Sequence, residues 1–88
     1  MNIIYSPKFA KEYKKLPLEI KIKAEKKEKI FRKNPKDVSV KTHKLSGKLK
    51  NFWAFSIDYN HRIIFEFVNK KTIYFHSVGN HSVYLEKF

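Results

Sequence analysis

Cysteine is absent from this 88-residue sequence, and glycine, proline and arginine are scarce. Without cysteine, neither a disulfide framework nor a thiolate zinc site can stabilise the fold, which fits a reducing compartment such as the cytoplasm. Two glycines are too few for a glycine-rich phosphate loop. Apolar runs are only a few residues long, and the N-terminus lacks the features of a signal peptide, so the sequence predicts no membrane partner.

Acidic residues are also few. The sequence has 20 basic and eight acidic side chains, which gives a formal charge of +12. Residues 1–50 hold 16 basic and five acidic side chains, a net +11, whereas residues 51–88 hold four and three, a net +1. An excess of this size favours nucleic acid as the partner, with solubility as the alternative explanation. The 42% hydrophobic fraction is ample for one folded domain, residues 1–88.

The hydrophobic pattern predicts the order β-α-α-β-β-β, an α+β fold with two N-terminal helices on a small, mainly antiparallel sheet. A short strand, "NIIY", precedes Ser6-Pro7, a pair typical of a helix start. The segment from Leu18 to Lys33 has an ambiguous period, but its length and composition favour a second helix. Residues 35–51 are predicted to form a lysine-rich loop, and three aromatic and β-branched runs from Phe52 onward predict an antiparallel meander.

Arginine occurs only twice, as Arg32 and Arg62, against 18 lysines. Arg62 begins an apolar strand, and its planar guanidinium suits bidentate binding of a phosphate. The structural alternative is a strand-edge salt bridge to Asp58 or Glu66. The four histidines show no spacing typical of a metal-ligand pair, so neither a metal nor another cofactor is expected.

Histidines and a tyrosine supply the other candidates. Gly79-Asn80 predicts a tight turn that aims His81 out of the sheet end, and Tyr84 either stacks on a base or closes the core. His61 precedes Arg62 and should point to the opposite face from it. His43 lies in the lysine-rich loop. The residues predicted to bind RNA are Lys41, Lys44, Lys48, Lys50 and His61.

Together, an arginine, histidines, a tyrosine and many lysines suit the cleavage of RNA. RNA carries its own nucleophile, the 2′-hydroxyl beside each phosphate. Cleavage then needs a base for that proton, a cation for the charge that develops on phosphorus, and an acid for the leaving 5′-oxygen. Histidine can be the base or the acid, and arginine the cation, without a metal.

The order of elements, the segment "HKLSGKLKNFWAFSIDYNHRIIFEF" and the ending "SVGNHSVY" resemble the RelE/ParE superfamily of toxins over essentially the whole chain. The resemblance is closest to the YafQ-like and YoeB-like mRNA interferase branches. Those branches carry a histidine-x-leucine-x-glycine element, found here from His43 to Gly47, and a histidine matched by His81. The YoeB-like histidine-arginine pair is matched by His61-Arg62, and a catalytic tyrosine of RelE corresponds to Tyr84.

This resemblance implies a RelE-like fold and a toxin that cuts mRNA in the ribosomal A site and is silenced by a cognate antitoxin. It implies cleavage roles for Arg62 and His81, support from His43, and stacking or proton transfer at Tyr84. The antitoxin is expected to cover the lysine-rich face with an acidic, amphipathic segment.

Because the sequence departs from the family pattern, either His43 or His81 can be the general base. Analogy with the YafQ-like branch favours His81 as the principal acid–base residue, with His43 assisting. The two catalytic lysines of RelE fall at about Ala54 and Ser56, and a histidine and an aspartate of the YafQ-like site fall near Ser56 and Asn60. Two alternatives follow, a gyrase-inhibiting toxin resembling the ParE branch and an RNA-binding member without catalytic activity.

Overall fold

The computed structural model describes residues 1–80 and 83–84. Within these residues, two helices pack on one face of a five-stranded sheet with the strand order β1-β5-β4-β3-β2. The elements, in chain order, are β1 (Asn2–Tyr5), α1 (Pro7–Lys14), α2 (Leu18–Lys33), β2 (His43–Lys44), a 3₁₀ turn (Gly47–Leu49), β3 (Trp53–Ser56), β4 (Arg62–Phe67) and β5 (Thr72–Gly79). Among the described strand pairs, only β1–β5 is parallel. The predicted α+β fold is confirmed.

Ser6 and Pro7 start α1 as the sequence predicts. The Ser6 hydroxyl accepts a hydrogen bond from the Phe9 amide at 2.9 Å and donates one to the carbonyl of His76, also at 2.9 Å. This one side chain therefore caps the helix and ties its first turn to the last strand.

Residues 18–33 are helical, which resolves the ambiguous period of this segment. Ile20, Ala24 and Phe31 form the buried face, whereas Leu18 and Ile22, which supported a strand period, are exposed. Strong helix formers elsewhere in the segment and its length of 16 residues outweigh the local alternation. Within the described ranges, no helix is long and apolar enough to cross a membrane.

Phenylalanine rings dominate the core between the helices and the sheet. Phe31 of α2 is fully buried and stacks on Phe55 of β3 with ring centroids 4.4 Å apart. Its edge meets Phe65 of β4 and Phe75 of β5 at 5.0 and 6.0 Å. One ring from the helix layer thus contacts the three central strands.

The opposite face of the sheet, which we call the open face, carries a second and smaller apolar patch. Side chains alternate along each strand, so Ala54 of β3 and Ile64 of β4 point away from the helices. Val83 packs against these two residues and is buried, and Tyr84 packs beside it. Residues 83–84 therefore lie over the open face.

Residues 35–51, predicted as a loop, contain two short elements, the two-residue strand β2 and the 3₁₀ turn. His43 pairs with Ala54, and Lys44 pairs with Trp53, in antiparallel register. Two paired residues are too few to show alternation in the sequence. This short edge strand matters because it fixes His43 to the sheet.

Glu12 of α1 joins the helix layer to β5 through a hydrogen-bonded carboxylate. It accepts from the Ser77 hydroxyl at 2.6 Å, the Val78 amide at 3.2 Å and Lys8 at 2.7 Å. Burial opposes ionisation of this carboxyl, but the three donors outweigh burial and lower its pKa below the ordinary value of 4.5. The ionised form is therefore the one that the fold stabilises.

We expect Glu12→Gln to lower the free energy of unfolding by roughly 1–2 kcal/mol at neutral pH. Because the pKa of Glu12 is lower in the folded state than in the unfolded chain, its contribution is complete above the unfolded value and disappears as the pH falls through the folded one. Urea unfolding at several pH values should show the two proteins converging in acid. Glu19→Gln, at an exposed position of α2, is the control, and a difference that persists in acid would contradict this account.

Candidate active site

The lysine-rich segment after α2 places His43 at the edge of the open face. His43 lies opposite Ala54 in the β2–β3 pair, so both side chains point to the same face. The chain then turns at Gly47, whose φ of +64° suits glycine. The following 3₁₀ turn brings Lys48 back toward the strand, and the Leu45 amide closes the loop on the carbonyl of Phe52 at 3.0 Å.

The His43 ring is oriented by the backbone of Lys41. Nδ1 of His43 lies 3.0 Å from the Lys41 carbonyl oxygen. A carbonyl oxygen only accepts, so Nδ1 carries the hydrogen and Nε2 keeps its lone pair. Lys41 adopts the left-handed region, with a φ of 53°, to present this carbonyl. The loop thus holds His43 in the tautomer that can take a proton through Nε2.

Lys41→Gly should stabilise the protein relative to Lys41→Ala by about 1 kcal/mol, since only a residue with a Cβ is strained at this φ. Both variants lose the same charge, so the comparison isolates the backbone. In a domain of this size the difference corresponds to a shift in Tm of roughly 4–8 °C. Thermal unfolding followed by circular dichroism measures it, and equal Tm values would show that Lys41 is not strained.

Arg62 begins β4 on the open face, opposite Ser56 of β3. Its guanidinium donates to two main-chain carbonyls, those of Asp58 and His61. The carboxylates that were its alternative partners are engaged elsewhere in the described chain. Asp58 binds His61 at 2.9 Å and Lys23 at 3.7 Å, and Glu66 binds His76 at 3.0 Å. Backbone carbonyls therefore aim Arg62 without neutralising its charge.

The return of the chain after β5 brings Tyr84 to Arg62. A Cβ on Gly79 would come within 2.8 Å of the Val83 side chain, so the close approach requires glycine here. The Val83 amide bonds the carbonyl of Asn80 at 3.0 Å and completes the turn. Burial raises the pKa of Tyr84, and the charge and hydrogen bond of Arg62 oppose that rise. The Tyr84 hydroxyl is consequently protonated at neutral pH and hydrogen-bonded to Arg62.

A cavity of about 430 Å³ connects these groups. Its described lining consists of His43, Lys44, Leu45, Ser46, Lys48, Leu49 and Tyr84. The described walls come from the loop around β2 and from Tyr84, whose hydroxyl is hydrogen-bonded to Arg62. The cavity is thus surrounded by a proton acceptor, His43, by the phenol of Tyr84 and by several cationic side chains.

Other residues of the predicted site lie elsewhere. His61 pairs with Asp58, which also contacts Lys23 of α2, so its ring is turned toward the helix side, opposite to Arg62. Lys41 and Lys50 are exposed on the same segment as His43 but are not part of the described lining of the cavity. His81 lies outside the described residues. The structure therefore brings together His43, Tyr84, Lys44, Lys48 and Arg62.

One pair on the open face was missed by sequence reasoning. His76 Nε2 donates to Glu66 Oε1 at 3.0 Å, although the two residues are diagonal neighbours on β4 and β5 rather than direct partners. A register shift between Ile64 and Phe65 offsets the strands at this point. The alternation of side chains along each strand predicts that Glu66 and His76 lie on the same face of the sheet. Only the register of the β4–β5 pair shows that they are in contact. Within residues 1–80 and 83–84, no group of three potential ligands could hold a metal ion.

The fold is similar to that of several toxins of known structure. A YoeB/ParE toxin from Agrobacterium tumefaciens superposes with a TM-score of 0.77 at 14% identity, over 92% of this chain and 99% of its own. YafQ from E. coli strain BL21(DE3) gives 0.74 at 21% identity, over 97% and 98%. The YoeB–YefM complex from Staphylococcus aureus gives 0.73 at 24% identity, over 92% and 97%.

Residues 3–83 match the family model of the ParE toxin of type II toxin–antitoxin systems, parDE. The chain belongs to this family and is a type II toxin of the RelE/ParE superfamily, as the sequence resemblance predicted. A comparison with curated proteins by sequence gives no significant match.

Proposed function

We propose that this toxin is a metal-independent endoribonuclease that cleaves mRNA in the ribosomal A site, in the cytoplasm. The observation that carries the proposal is the meeting of Arg62 with Tyr84 at a cavity that also holds His43. These are the residue types that cleavage by the substrate's own 2′-hydroxyl requires, and they come from three separate parts of the chain.

His43 is the general base in this proposal. Its Nε2 takes the proton of the 2′-hydroxyl, and the resulting oxygen attacks the adjacent phosphorus. The bond from phosphorus to the 5′-oxygen then breaks, which leaves a 2′,3′-cyclic phosphate and a 5′-hydroxyl end. The contact between Nδ1 and the Lys41 carbonyl supports this assignment, because it leaves Nε2 unprotonated and stabilises the ring after it gains the proton.

Arg62 stabilises the negative charge that develops on the phosphorane oxygens. Because backbone carbonyls hold its guanidinium, little reorganisation is needed when that charge appears. Tyr84 donates a hydrogen bond at the same centre or stacks on a flanking base. The proton for the leaving 5′-oxygen comes from His81, an assignment that rests on the family resemblance alone.

The lysines give the protein affinity for the phosphate backbone. Lys44 and Lys48 line the cavity and are both exposed, so they can follow the RNA strand away from the scissile phosphate. The same positive surface suits a cognate antitoxin with an acidic segment. Similar structures include toxin–antitoxin complexes such as YoeB–YefM, which supports a partner of this kind. Binding of such an antitoxin should weaken with salt.

Expression of the toxin without an antitoxin tests the proposal. Primer extension should reveal cuts within translated mRNA, and the purified products should carry 2′,3′-cyclic phosphate ends. Tight RNA binding without such ends would instead identify an RNA-binding member that does not cleave.

Gyrase inhibition is the second candidate function, and the match to the ParE toxin model favours it. Such a toxin needs no acid–base histidine, so His43→Ala would remain toxic. The accumulation of gyrase-linked DNA breaks, with intact mRNA in the same cells, would support this function and overturn the ribonuclease proposal.

A further inference from the structure

The open face carries a polar and aromatic group that the proposed reaction does not use. Glu66 accepts a hydrogen bond from His76, and the His76 ring meets Phe52 and Tyr74 edge-on, with centroid separations of 4.8 and 4.5 Å. We call these four residues the Glu66 cluster. All four are at least partly accessible to solvent.

Phe52 connects this cluster to the catalytic cavity. It packs against the apolar patch of the open face, which Leu45 and Tyr84 also cover. Its carbonyl accepts the hydrogen bond from Leu45, a cavity-lining residue, at 3.0 Å. The Glu66 cluster and the cavity thus border the same apolar patch. An RNA strand whose phosphate binds Arg62 can therefore place a neighbouring base on the cluster.

A carboxylate is an unexpected group beside a phosphate-binding cavity. The Glu66 side chain is 44% exposed, so its charge acts on whatever covers this face. It repels phosphates, but it accepts hydrogen bonds strongly. In single-stranded RNA, the amino and imino groups on the base edges are the donors that proteins read, usually together with stacking on aromatic rings.

We propose that the Glu66 cluster is a nucleobase subsite that selects guanine next to the cleaved bond; this inference rests on the proposed ribonuclease function. Guanine presents two parallel donors, N1–H and the N2 amino group, which match the two oxygens of one carboxylate. The bond from His76 holds the carboxylate in place and leaves further lone pairs for the base. Uracil offers a single N–H between two carbonyls, which a carboxylate repels.

The test uses the full-length toxin with two sets of RNA that differ only in the base beside the scissile bond. Ribosomes programmed with guanine or uracil at that position report cleavage rates. The corresponding 2′-deoxy oligonucleotides, which lack the nucleophile, report binding by fluorescence anisotropy. Glu66→Gln removes the charge at nearly constant shape, and Glu19→Gln, on exposed α2, controls for the gain of one net positive charge.

We expect wild type and Glu19→Gln to prefer guanine over uracil by about 10-fold, the size of a bidentate base contact. Glu66→Gln should lose most of that preference while its rate on the uracil substrate stays at or above that of wild type. A wild type without preference, or a preference unchanged in Glu66→Gln, would overturn the subsite. If no RNA is cut but guanine is still preferred in binding through Glu66, the subsite stands and the ribonuclease proposal fails.

Discussion

Arg62→Ala is expected to lower the rate of RNA cleavage by about 10²–10³-fold, the usual loss when one preorganised donor to a developing oxyanion is removed. Single-turnover cleavage of programmed ribosomes measures the effect on the chemical step. In wild type a single nitrogen, Nη1, binds the Asp58 and His61 carbonyls, and the other guanidinium N–H groups point elsewhere. Arg62→Lys keeps the charge but has one nitrogen for both tasks, so it should recover only a part of the rate.

Arg32→Ala is the matched control because Arg32 is the other arginine of the chain and its removal changes the net charge equally. Arg32 lies on the helix side, where it pairs with Glu28 at 3.2 Å. The rate of this variant should equal that of wild type. If the two variants lose the same activity, the loss reflects net charge and Arg62 has no specific role. Thermal unfolding of Arg62→Ala shows whether the turn it bridges still folds.

Sequence reasoning succeeded wherever the signal was local. The strand β1 follows from its short apolar run, the start of α1 from the Ser6-Pro7 pair, whose hydroxyl accepts from Phe9, and α2 from its length and helix-forming composition. The strand β2 was missed because its stability comes from pairing with β3 rather than from its own two residues. The same pairing places His43 on the open face, so the missed element is part of the site.

The site depends on contacts that no local pattern encodes. Scarcity and position singled out Arg62, but no local pattern predicts that it binds backbone carbonyls. The carboxylates considered as its alternative partners bind Lys23 and His76, which belong to other elements. The meeting of Arg62 with Tyr84 requires the chain to fold back over Gly79. The bond between Glu66 and His76 requires a register shift in the β4–β5 pair.

His43→Ala should reduce cleavage by about 10²–10⁴-fold, the range that a general base contributes. The physical reason is the loss of the Nε2 lone pair that the Lys41 carbonyl keeps available. Cleavage rates of wild type and variant under single-turnover conditions measure the loss at the chemical step.

Binding separates this role from a purely structural one. His43 is exposed at the edge of a two-residue strand, so its truncation should leave the fold and the affinity for a 2′-deoxy oligonucleotide unchanged. Added imidazole should restore a part of the rate, since it can enter the space that the side chain vacates and take the same proton. If instead the affinity falls in step with the rate, or imidazole restores nothing, His43 holds the RNA and another group is the base.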